Sequence, residues 1–264
     1  MLLATLLGTS LYSAYAYQPA EDGSTPAYLA KVRADHLDGY VAAGAFRVHY
    51  VHEGSGSPVV ILPGGNTWVF GTKNLMEALA AHHSVYALDA PGTGWTAPLA
   101  AQPDYGAIYS FDGIDQSLLA FFDRMGIASA PLIGASWGGG FATYFAERHP
   151  DRVSRLVELG GEGPNLDDSG DMQIFSALKL PVVGELSDNF LITPDFVRQQ
   201  FQYTVFDQAL ITAEFAQQLY VPLTFRYNRI ADHILNRNLQ WSRTEALMPN
   251  LRMPVQVIWG RRTG

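Results

Sequence analysis

Short apolar runs and helical segments alternate between residues 58 and 160, and this alternation limits the folds that the chain can adopt. The runs Val59–Leu62, Ser84–Asp89 and Val153–Leu159 are nearly continuous, which is typical of strands buried on both faces of a parallel sheet. Amphipathic segments such as Phe111–Met125 separate them. The order of strands and helices predicts a doubly wound, mostly parallel α/β sheet with right-handed crossovers.

The segment Gly134–Gly139, with the sequence GASWGG, joins one such run to a helix. The apolar residues 130–133 precede it, and residues 140–148 have the pattern of a helix. A serine at the tip of a tight turn between strand and helix projects its hydroxyl above the sheet edge, and small neighbours are needed because the backbone is strained and closely packed. The pattern G-x-S-x-G in this context predicts a nucleophile elbow with Ser136 at its tip.

Here the chain resembles the α/β-hydrolase family, and especially its members with a helical cap, such as meta-cleavage-product hydrolases, esterases and haloalkane dehalogenase-like proteins. Leu88–Trp95 resembles the D-x-x-G-x-G-x-S segment of the family, with Thr96 in place of Ser, and His149–Val153 resembles its H-P-E-R-V segment. The resemblance covers residues 45–262 and implies a serine hydrolase. Ser136 argues against dehalogenase and epoxide hydrolase chemistry, because those enzymes carry Asp at the elbow.

The resemblance also implies where an oxyanion would bind. A serine attacks a carbonyl carbon only if a base takes its proton and donors stabilise the oxyanion. In the family one donor is the N–H that follows the nucleophile, here that of Trp137. The other comes from the loop Pro63–Asn66, where Gly65 is the predicted donor and Asn66 is the alternative.

The remaining triad members are harder to place. In the family the acid and then the histidine follow the serine along the chain. The usual acid position is occupied by Thr263, and the strand that should precede the histidine is missing, so the fold is expected to lack its C-terminal strand and helix and to expose the edge of its last strand. Glu158 is a candidate acid because a carboxylate inside an apolar strand needs a partner or a raised pKa. Glu162 is a weaker alternative.

None of the seven histidines is a convincing base. His49 and His52 lie on an early strand, and His82 and His83 lie at the end of a helix. These positions are typical of surface or capping residues. Only His233, in the predicted cap, could reach the cleft.

The chain divides into three predicted parts. Residues 1–40 form a signal- or anchor-like segment with a linker, residues 41–162 and 251–264 form the α/β-hydrolase core, and residues 163–250 form a helical cap. Aromatic residues of the cap indicate an apolar pocket, and hence an acyl substrate with a hydrophobic side. They are Phe175, Phe190, Phe196, Phe201, Tyr203, Phe206, Phe215, Tyr220, Phe225, Tyr227 and Trp241.

The first residues resemble a targeting segment. Met1–Gly8 is mostly apolar, and Ala14–Ala16 has the small-x-small pattern of a signal-peptidase site, but no Lys or Arg precedes Lys31. The apolar run is too short to span a bilayer. An atypical signal peptide, the tail of an anchor and an ordinary N-terminal helix all fit, and export or membrane tethering is favoured over a cytoplasmic location.

Composition and motifs exclude other classes. The formal net charge of −8, without a basic cluster, argues against nucleic-acid binding, and the lack of Cys excludes disulfides and a cysteine nucleophile. No P-loop or dinucleotide fingerprint is present. His82–His83 are adjacent rather than spaced for one metal, and Asp167–Asp171 lacks the pattern of a calcium loop. We therefore expect no cofactor and no metal; the sequence leaves the oligomeric state open.

The sequence thus predicts a serine hydrolase that cleaves a small hydrophobic ester or related carbonyl compound through a Ser136 acyl-enzyme. Because no base is identifiable, this chain is expected to be weakly active or inactive. The alternative is a non-catalytic α/β-hydrolase-like protein that binds a small ligand in its cleft. A lyase or a cofactor-free perhydrolase on the same scaffold is a third candidate.

Overall fold

The computed structural model describes residues 5, 8, 18–161, 179–180, 182–202, 205 and 207–260. The strands are β1 (Asp38–Ala43), β2 (Phe46–Glu53), β3 (Pro58–Leu62), β4 (Ser84–Leu88), β5 (Ala97–Pro98), β6 (Ala130–Ala135), β7 (Val153–Leu159) and β8 (Val255–Ile258).

The helices lie between these strands and in the region that precedes β8. They are α1 (Ala27–Ala34), α2 (Lys73–Ala80), α3 (Tyr105–Ile108), α4 (Phe111–Arg124), α5 (Trp137–Arg148), α6 (Val183–Phe190), α7 (Pro194–Gln202), α8 (Ala213–Leu223) and α9 (Arg226–Asn238). Short 3-10 turns include Val69–Thr72 and Trp241–Asn250.

The described strands form one eight-stranded sheet. Its order is β1-β2-β4-β3-β6-β7-β8, and β5 pairs with β2. The pairs β1–β2 and β2–β4 are antiparallel, whereas β4, β3, β6, β7 and β8 run parallel to one another. The predicted doubly wound, mostly parallel α/β sheet is therefore confirmed. The strands β1 and β5 had no counterpart in the sequence prediction.

Helices cover both faces of the sheet, as the continuous apolar runs require. Along β3, Val60 and Leu62 pack with the apolar residues of α4 and α5, and Val59 and Ile61 pack with those of α1 and α2. Successive side chains of a strand point to opposite faces, so a strand between two helical layers must be apolar throughout. Helix α4 begins at Ser110, whose hydroxyl accepts the N–H of Gly113 at 3.1 Å and so caps the helix.

The strand β8 lies at one edge of the sheet, paired with β7 within the described residues. All four of its residues are exposed, and Trp259, which follows it, is 68% exposed. This agrees with the expectation that the last strand has an open edge. Such an edge presents unpaired backbone groups to solvent.

The region between β7 and β8 is largely helical where it is described, as predicted for the cap. We call the helices α6–α9 the lid. The predicted helix at residues 175–180 and the acidic loop at residues 167–171 lie mostly or entirely outside the described residues. The boundaries of the three predicted parts stay predictions.

The segment that precedes β1 packs on the lid. The N–H of Tyr28 donates to the side-chain carbonyl of Gln218 at 3.1 Å, and the N–H of Asp22 donates to Thr224 at 2.8 Å. Most of the apolar segment at residues 1–16 lies outside the described residues. Among the helices that are described, none has the length and apolar character needed to cross a membrane.

Candidate active site

Ser136 occupies the turn between β6 and α5 with an unusual backbone. Its φ is 48° and its ψ is −124°, in a region that residues with a side chain rarely adopt. Two backbone hydrogen bonds hold the turn: the N–H of Ser136 donates to Leu159 at 3.2 Å, and its carbonyl accepts the N–H of Gly139 at 2.8 Å. The sequence motif thus forms a strained turn at the carboxyl end of a central strand, as an elbow requires.

Glycines let the loop that follows β3 approach this turn. A Cβ atom at Gly64 would lie 3.1 Å from Cβ of Ser136 and 3.7 Å from its Oγ. A Cβ atom at Gly138 would overlap the carbonyl oxygen of Pro63. The loop backbone therefore lies directly against the serine, and only glycine fits at these two positions without displacement.

The two predicted oxyanion donors lie next to each other. Trp137 is the first residue of α5, so its N–H has no carbonyl partner four residues earlier within the helix. The start of a helix also favours negative charge. The α-carbon of Gly65 faces the indole of Trp137, because a Cβ there would lie 2.7 Å from Cδ2 of the ring. Asn66 has a positive φ of 55°. The assignment of Gly65 and Trp137 as donors stays a prediction.

No histidine is hydrogen-bonded to Ser136, and all seven belong to the described part of the chain. Five imidazole rings bond elsewhere. The pairs are His49 with Asp89, His52 with Ser84, His83 with Ser57, His149 with Asp115, and His233 with Asp188.

His233 belongs to an acidic cluster inside the lid. Its Nδ1 lies 3.1 Å from Oδ2 of Asp188, and its Nε2 lies 4.0 Å from Oε1 of Glu185. Burial lowers the pKa of His233 and raises the pKa of Asp188 to about 7. These contacts join α9 to α6. The imidazole of His233 therefore has its partners inside the lid and not at Ser136.

Glu158 lies beside the elbow strand, in register with Gly134 of β6. One carboxylate oxygen accepts a hydrogen bond from the hydroxyl of Thr143 on α5. Burial raises the pKa of Glu158, and the bond from Thr143 partly offsets this. No histidine bonds to Glu158, and its role as the acid stays a prediction. The weaker alternative, Glu162, lies outside the described residues, as does Thr263 at the usual acid position of the family.

The structure adds a second carboxyl group that the sequence reasoning missed. Glu147 lies on α5, four residues after Thr143, and is 1% exposed. Burial, with a smaller contribution from the charge of Glu158, raises its pKa to about 8. Positions four residues apart lie on one face of a helix, so Glu147 follows Thr143 along the side that meets β7.

The prediction that His49 is a surface or capping residue is wrong. Its side chain is completely buried, and its Nδ1 lies 2.7 Å from Oδ2 of Asp89, which is also completely buried. Both faces of β2 are covered near His49, where the rings of Tyr40 and Trp95 pack against the imidazole. The sequence signal was Asp89 itself, a carboxylate at the end of a buried strand that needs a partner.

Aromatic side chains connect the sheet to the lid near the site. Trp137 faces Trp241 with ring centroids 6.4 Å apart. Trp95 packs edge-on against Trp68 at 4.5 Å and against Phe225 of the lid at 5.8 Å. In the part of the chain that the structure describes, no group of three or more His, Asp or Glu side chains could hold a metal ion.

Comparison with known proteins gives a family match over most of the chain. The family described as alpha/beta hydrolase fold matches residues 57–263. A 2-hydroxy-6-oxononadienedioate/2-hydroxy-6-oxononatrienedioate hydrolase of Comamonas testosteroni is 26% identical over 226 residues, which are 82% of this chain and 74% of that protein.

Two further relatives differ in their chemistry. A cis-3-alkyl-4-alkyloxetan-2-one decarboxylase of Shewanella oneidensis is 31% identical over 132 residues, which are 49% of this chain and only 40% of that protein. The solved structure of the epoxide hydrolase CorEH has a TM-score of 0.71 at 21% identity, covering 84% of this chain and 81% of that one. The latter similarity shows the fold alone.

Proposed function

The chain belongs to the alpha/beta hydrolase fold family, and on that premise we propose that it is a serine hydrolase acting on a small hydrophobic ester or related carbonyl compound. The hydrolase prediction is confirmed at the level of the family, because several relatives are named as hydrolases. The observation that carries the serine mechanism is the strained backbone of Ser136, with the glycine loop held against it.

In the proposed reaction the Oγ of Ser136 attacks the substrate carbonyl carbon. The N–H groups of Trp137 and Gly65 stabilise the negative oxygen of the tetrahedral intermediate. The bond between the carbonyl carbon and the ester oxygen then breaks, and the leaving oxygen takes up the proton that Ser136 has lost and departs as the alcohol. Water adds to the acyl group on Ser136, which releases the carboxylic acid and returns a proton to the serine oxygen. The aromatic side chains between the sheet and the lid supply an apolar wall, which supports a substrate with a hydrophobic side.

The 264-residue chain is expected to react slowly, because no histidine bonds to Ser136. In serine proteases, the oxyanion hole and substrate binding alone retain on the order of 10³-fold acceleration when a triad member is removed. Slow turnover that still depends on Ser136 is the expected behaviour.

Hydrolysis of p-nitrophenyl acetate, butyrate and octanoate tests this proposal. We expect measurable turnover that is lost in Ser136→Ala and retained in Ser154→Ala, since Ser154 is an exposed serine of β7. A Ser136→Ala variant with unchanged turnover would exclude Ser136 as the nucleophile. A kcat of roughly 10 s⁻¹, the median for enzymes, would contradict the expected weak activity.

The same lack of a histidine partner favours one alternative, a non-catalytic protein that binds a hydrophobic carbonyl compound in the cleft. Recovery of a bound ester without hydrolysis, with equal affinity in the wild type and in Ser136→Ala, would favour this alternative. The relative named as a decarboxylase makes carbon dioxide release worth measuring in the same assay. Export or membrane tethering through residues 1–16 stays a prediction.

A further inference from the structure

Asp89 directly follows the last residue of β4. Its carboxylate is fully buried and accepts three N–H groups. Its Oδ1 accepts the backbone N–H of Val69 at 2.8 Å, and its Oδ2 accepts that of Trp95 at 2.8 Å. Oδ2 also lies 2.7 Å from Nδ1 of His49. Charge-assisted bonds from several N–H groups keep a buried carboxylate in one position.

His49 fixes this carboxylate to the antiparallel part of the sheet. It lies on β2, and its ring stands between Asp89 and the carboxylate of Asp38, whose Oδ2 is 4.0 Å from Nε2. The hydroxyl of Thr96 accepts the backbone N–H of His49 at 2.9 Å and donates to the carbonyl of Asp89 at 2.7 Å. The pair is therefore fixed through both side chains and backbone.

The donors Val69 and Trp95 follow two different strands of the sheet, β3 and β4, and Val69 begins the 3-10 turn Val69–Thr72. Val69 follows the loop Pro63–Asn66, which lies against Ser136. Trp95 follows Gly94, whose carbonyl accepts a hydrogen bond from Asn228 of the lid at 2.8 Å. One carboxylate thus holds both the segment that follows the Pro63–Asn66 loop and the loop that contacts the lid.

We propose that Asp89 and His49 are positioning residues that set the distance between the Pro63–Asn66 loop and Ser136. The expected effect on the rate of Ser136 labelling rests on the proposed serine chemistry. The expected effect on the loop does not depend on it. If the imidazole N–H of His49 is removed, Oδ2 of Asp89 keeps only the N–H of Trp95 as a partner, and the carboxylate holds Val69 and Trp95 less firmly in place. The Gly65 N–H then moves away from the position of the oxyanion.

Three substitutions separate this role from general stability. His49→Leu removes the donor, whereas His49→Asn places an amide N–H near the position of Nδ1 and should restore the bond. His52→Asn is the matched control on the same strand, since the imidazole of His52 contacts Ser84 and the ring of Tyr86 and not Asp89. All variants are compared well below their melting temperatures.

Two measurements are made on the full chain. Amide hydrogen exchange of residues 67–70 reports on the loop, and inactivation by a fluorophosphonate reports on Ser136, with the maximal rate and the half-saturating concentration determined separately. We expect His49→Leu to speed exchange about tenfold and to lower the maximal rate about tenfold, with little change in half-saturation, because small displacements at a reacting centre cost rate rather than affinity. His49→Asn should recover most of both losses.

If His49→Leu does not fold, Asp89→Asn serves the same purpose, because an amide has one acceptor oxygen and cannot serve both Val69 and Trp95. If His49→Leu or Asp89→Asn shows the same amide exchange and the same labelling as His52→Asn, the inference is overturned, even when Ser136 is labelled normally. If amide exchange is faster in His49→Leu but the wild type is not labelled at all, the role in the loop is supported and the proposed function is contradicted. A fall in rate that His49→Asn does not recover would also count against the inference.

Discussion

Two buried carboxyl groups, Asp89 after β4 and Glu147 in the last turn of α5, have opposite surroundings. Asp89 is fully buried and accepts the backbone N–H groups of Val69 and Trp95 and the imidazole N–H of His49. Glu147 is 1% exposed, and within the described residues neither of its carboxylate oxygens has a hydrogen-bond partner. One group is held as a paired carboxylate, whereas the pKa of about 8 makes the other mostly neutral at pH 7.

The difference follows from where each side chain lies. At the carboxyl end of a parallel sheet, loops leave backbone N–H groups unpaired, and these can bind a carboxylate. Glu147 lies on the flank of a helix, where neighbouring N–H groups are already bonded along the helix. The like charge of Glu158 is a second, smaller cause of the raised pKa of Glu147 after burial. The carboxyl end of the sheet can therefore hold a charged group in place, and the flank of α5 cannot.

The largest expected effect comes from breaking the paired carboxylate. Asp89→Ala leaves His49 and the N–H groups of Val69 and Trp95 buried without an acceptor. We expect the free energy of unfolding to fall by about 3–5 kcal/mol, the usual cost of removing one member of a buried pair. Urea unfolding measures it. Asp151→Ala, at an exposed position, is the control and should change stability by less than about 0.5 kcal/mol; an equally small loss in Asp89→Ala would show that the pair does not hold the loops.

The contribution of the unpaired carboxyl group, Glu147, to the stability of the fold should depend on pH. The folded protein holds the proton of Glu147 up to about pH 8, whereas the unfolded chain releases it near the ordinary value of 4.5. The contribution of Glu147 is therefore complete below about pH 4.5 and is lost progressively as the pH rises to about 8. Glu147→Gln removes this dependence.

At pH 8 we expect Glu147→Gln to melt roughly 10 °C above the wild type. A rise in the pKa from 4.5 to about 8 costs roughly 4 kcal/mol at this pH, and each 1 kcal/mol shifts the melting temperature of a domain of this size by about 2–4 °C. At pH 4.5 the two proteins should melt alike. Glu77→Gln, at an exposed position on α2, is the control. A constant difference between the wild type and Glu147→Gln at every pH would mean that Glu147 does not titrate in this range.

A smaller effect should come from the hydroxyl that Thr143 donates to Glu158. Thr143→Val removes the donor while keeping the shape, and we expect a loss of about 1 kcal/mol. Thr143→Ser keeps the hydroxyl and should recover most of it. In a cycle with Glu158→Gln, the two changes should be non-additive, because each affects the same bond. Strict additivity would mean that the bond contributes nothing to stability.

The smallest effect is expected for an exposed carboxylate. Asp22, in the segment that packs on the lid, accepts the N–H of Ser24 at 2.8 Å. Hydrogen bonds from Ser24 lower the pKa of Asp22, the bond from its side chain most and the bond from its backbone N–H next. Solvent competes for such bonds, so Asp22→Ala should cost no more than about 0.5 kcal/mol at pH 7 by thermal unfolding. If Asp22→Ala lowered the free energy of unfolding as much as Asp89→Ala does, burial would not explain the difference between these two carboxylates.

The local patterns of the sequence predicted much of the fold. The strand β7 begins and ends where the apolar pattern placed it, and α4 ends one residue earlier than predicted. The strand β1 was missed because its sequence, DGYVAA, has neither a continuous apolar run nor a regular alternation. Its formation depends on pairing with β2, which is information that no local window contains.

Site residues could be predicted only where a local motif specifies both the type of residue and the backbone conformation. Ser136 was found because the elbow needs small residues at fixed spacings. Glu158 was recognised as a carboxylate inside an apolar strand, and the structure gives it both a partner and a raised pKa. The His49–Asp89 pair was missed because its members are 40 residues apart and meet only through the pairing of β2 with β4.

The central claim is that Ser136 is a nucleophile held in reach of an oxyanion hole. Its most direct test is mass spectrometry of the chain after prolonged treatment with a fluorophosphonate. We predict one covalent adduct, on the peptide that contains Ser136, present in Ser154→Ala and absent from Ser136→Ala. A folded wild-type chain that carries no adduct on this peptide, or carries it on another residue, would contradict the account.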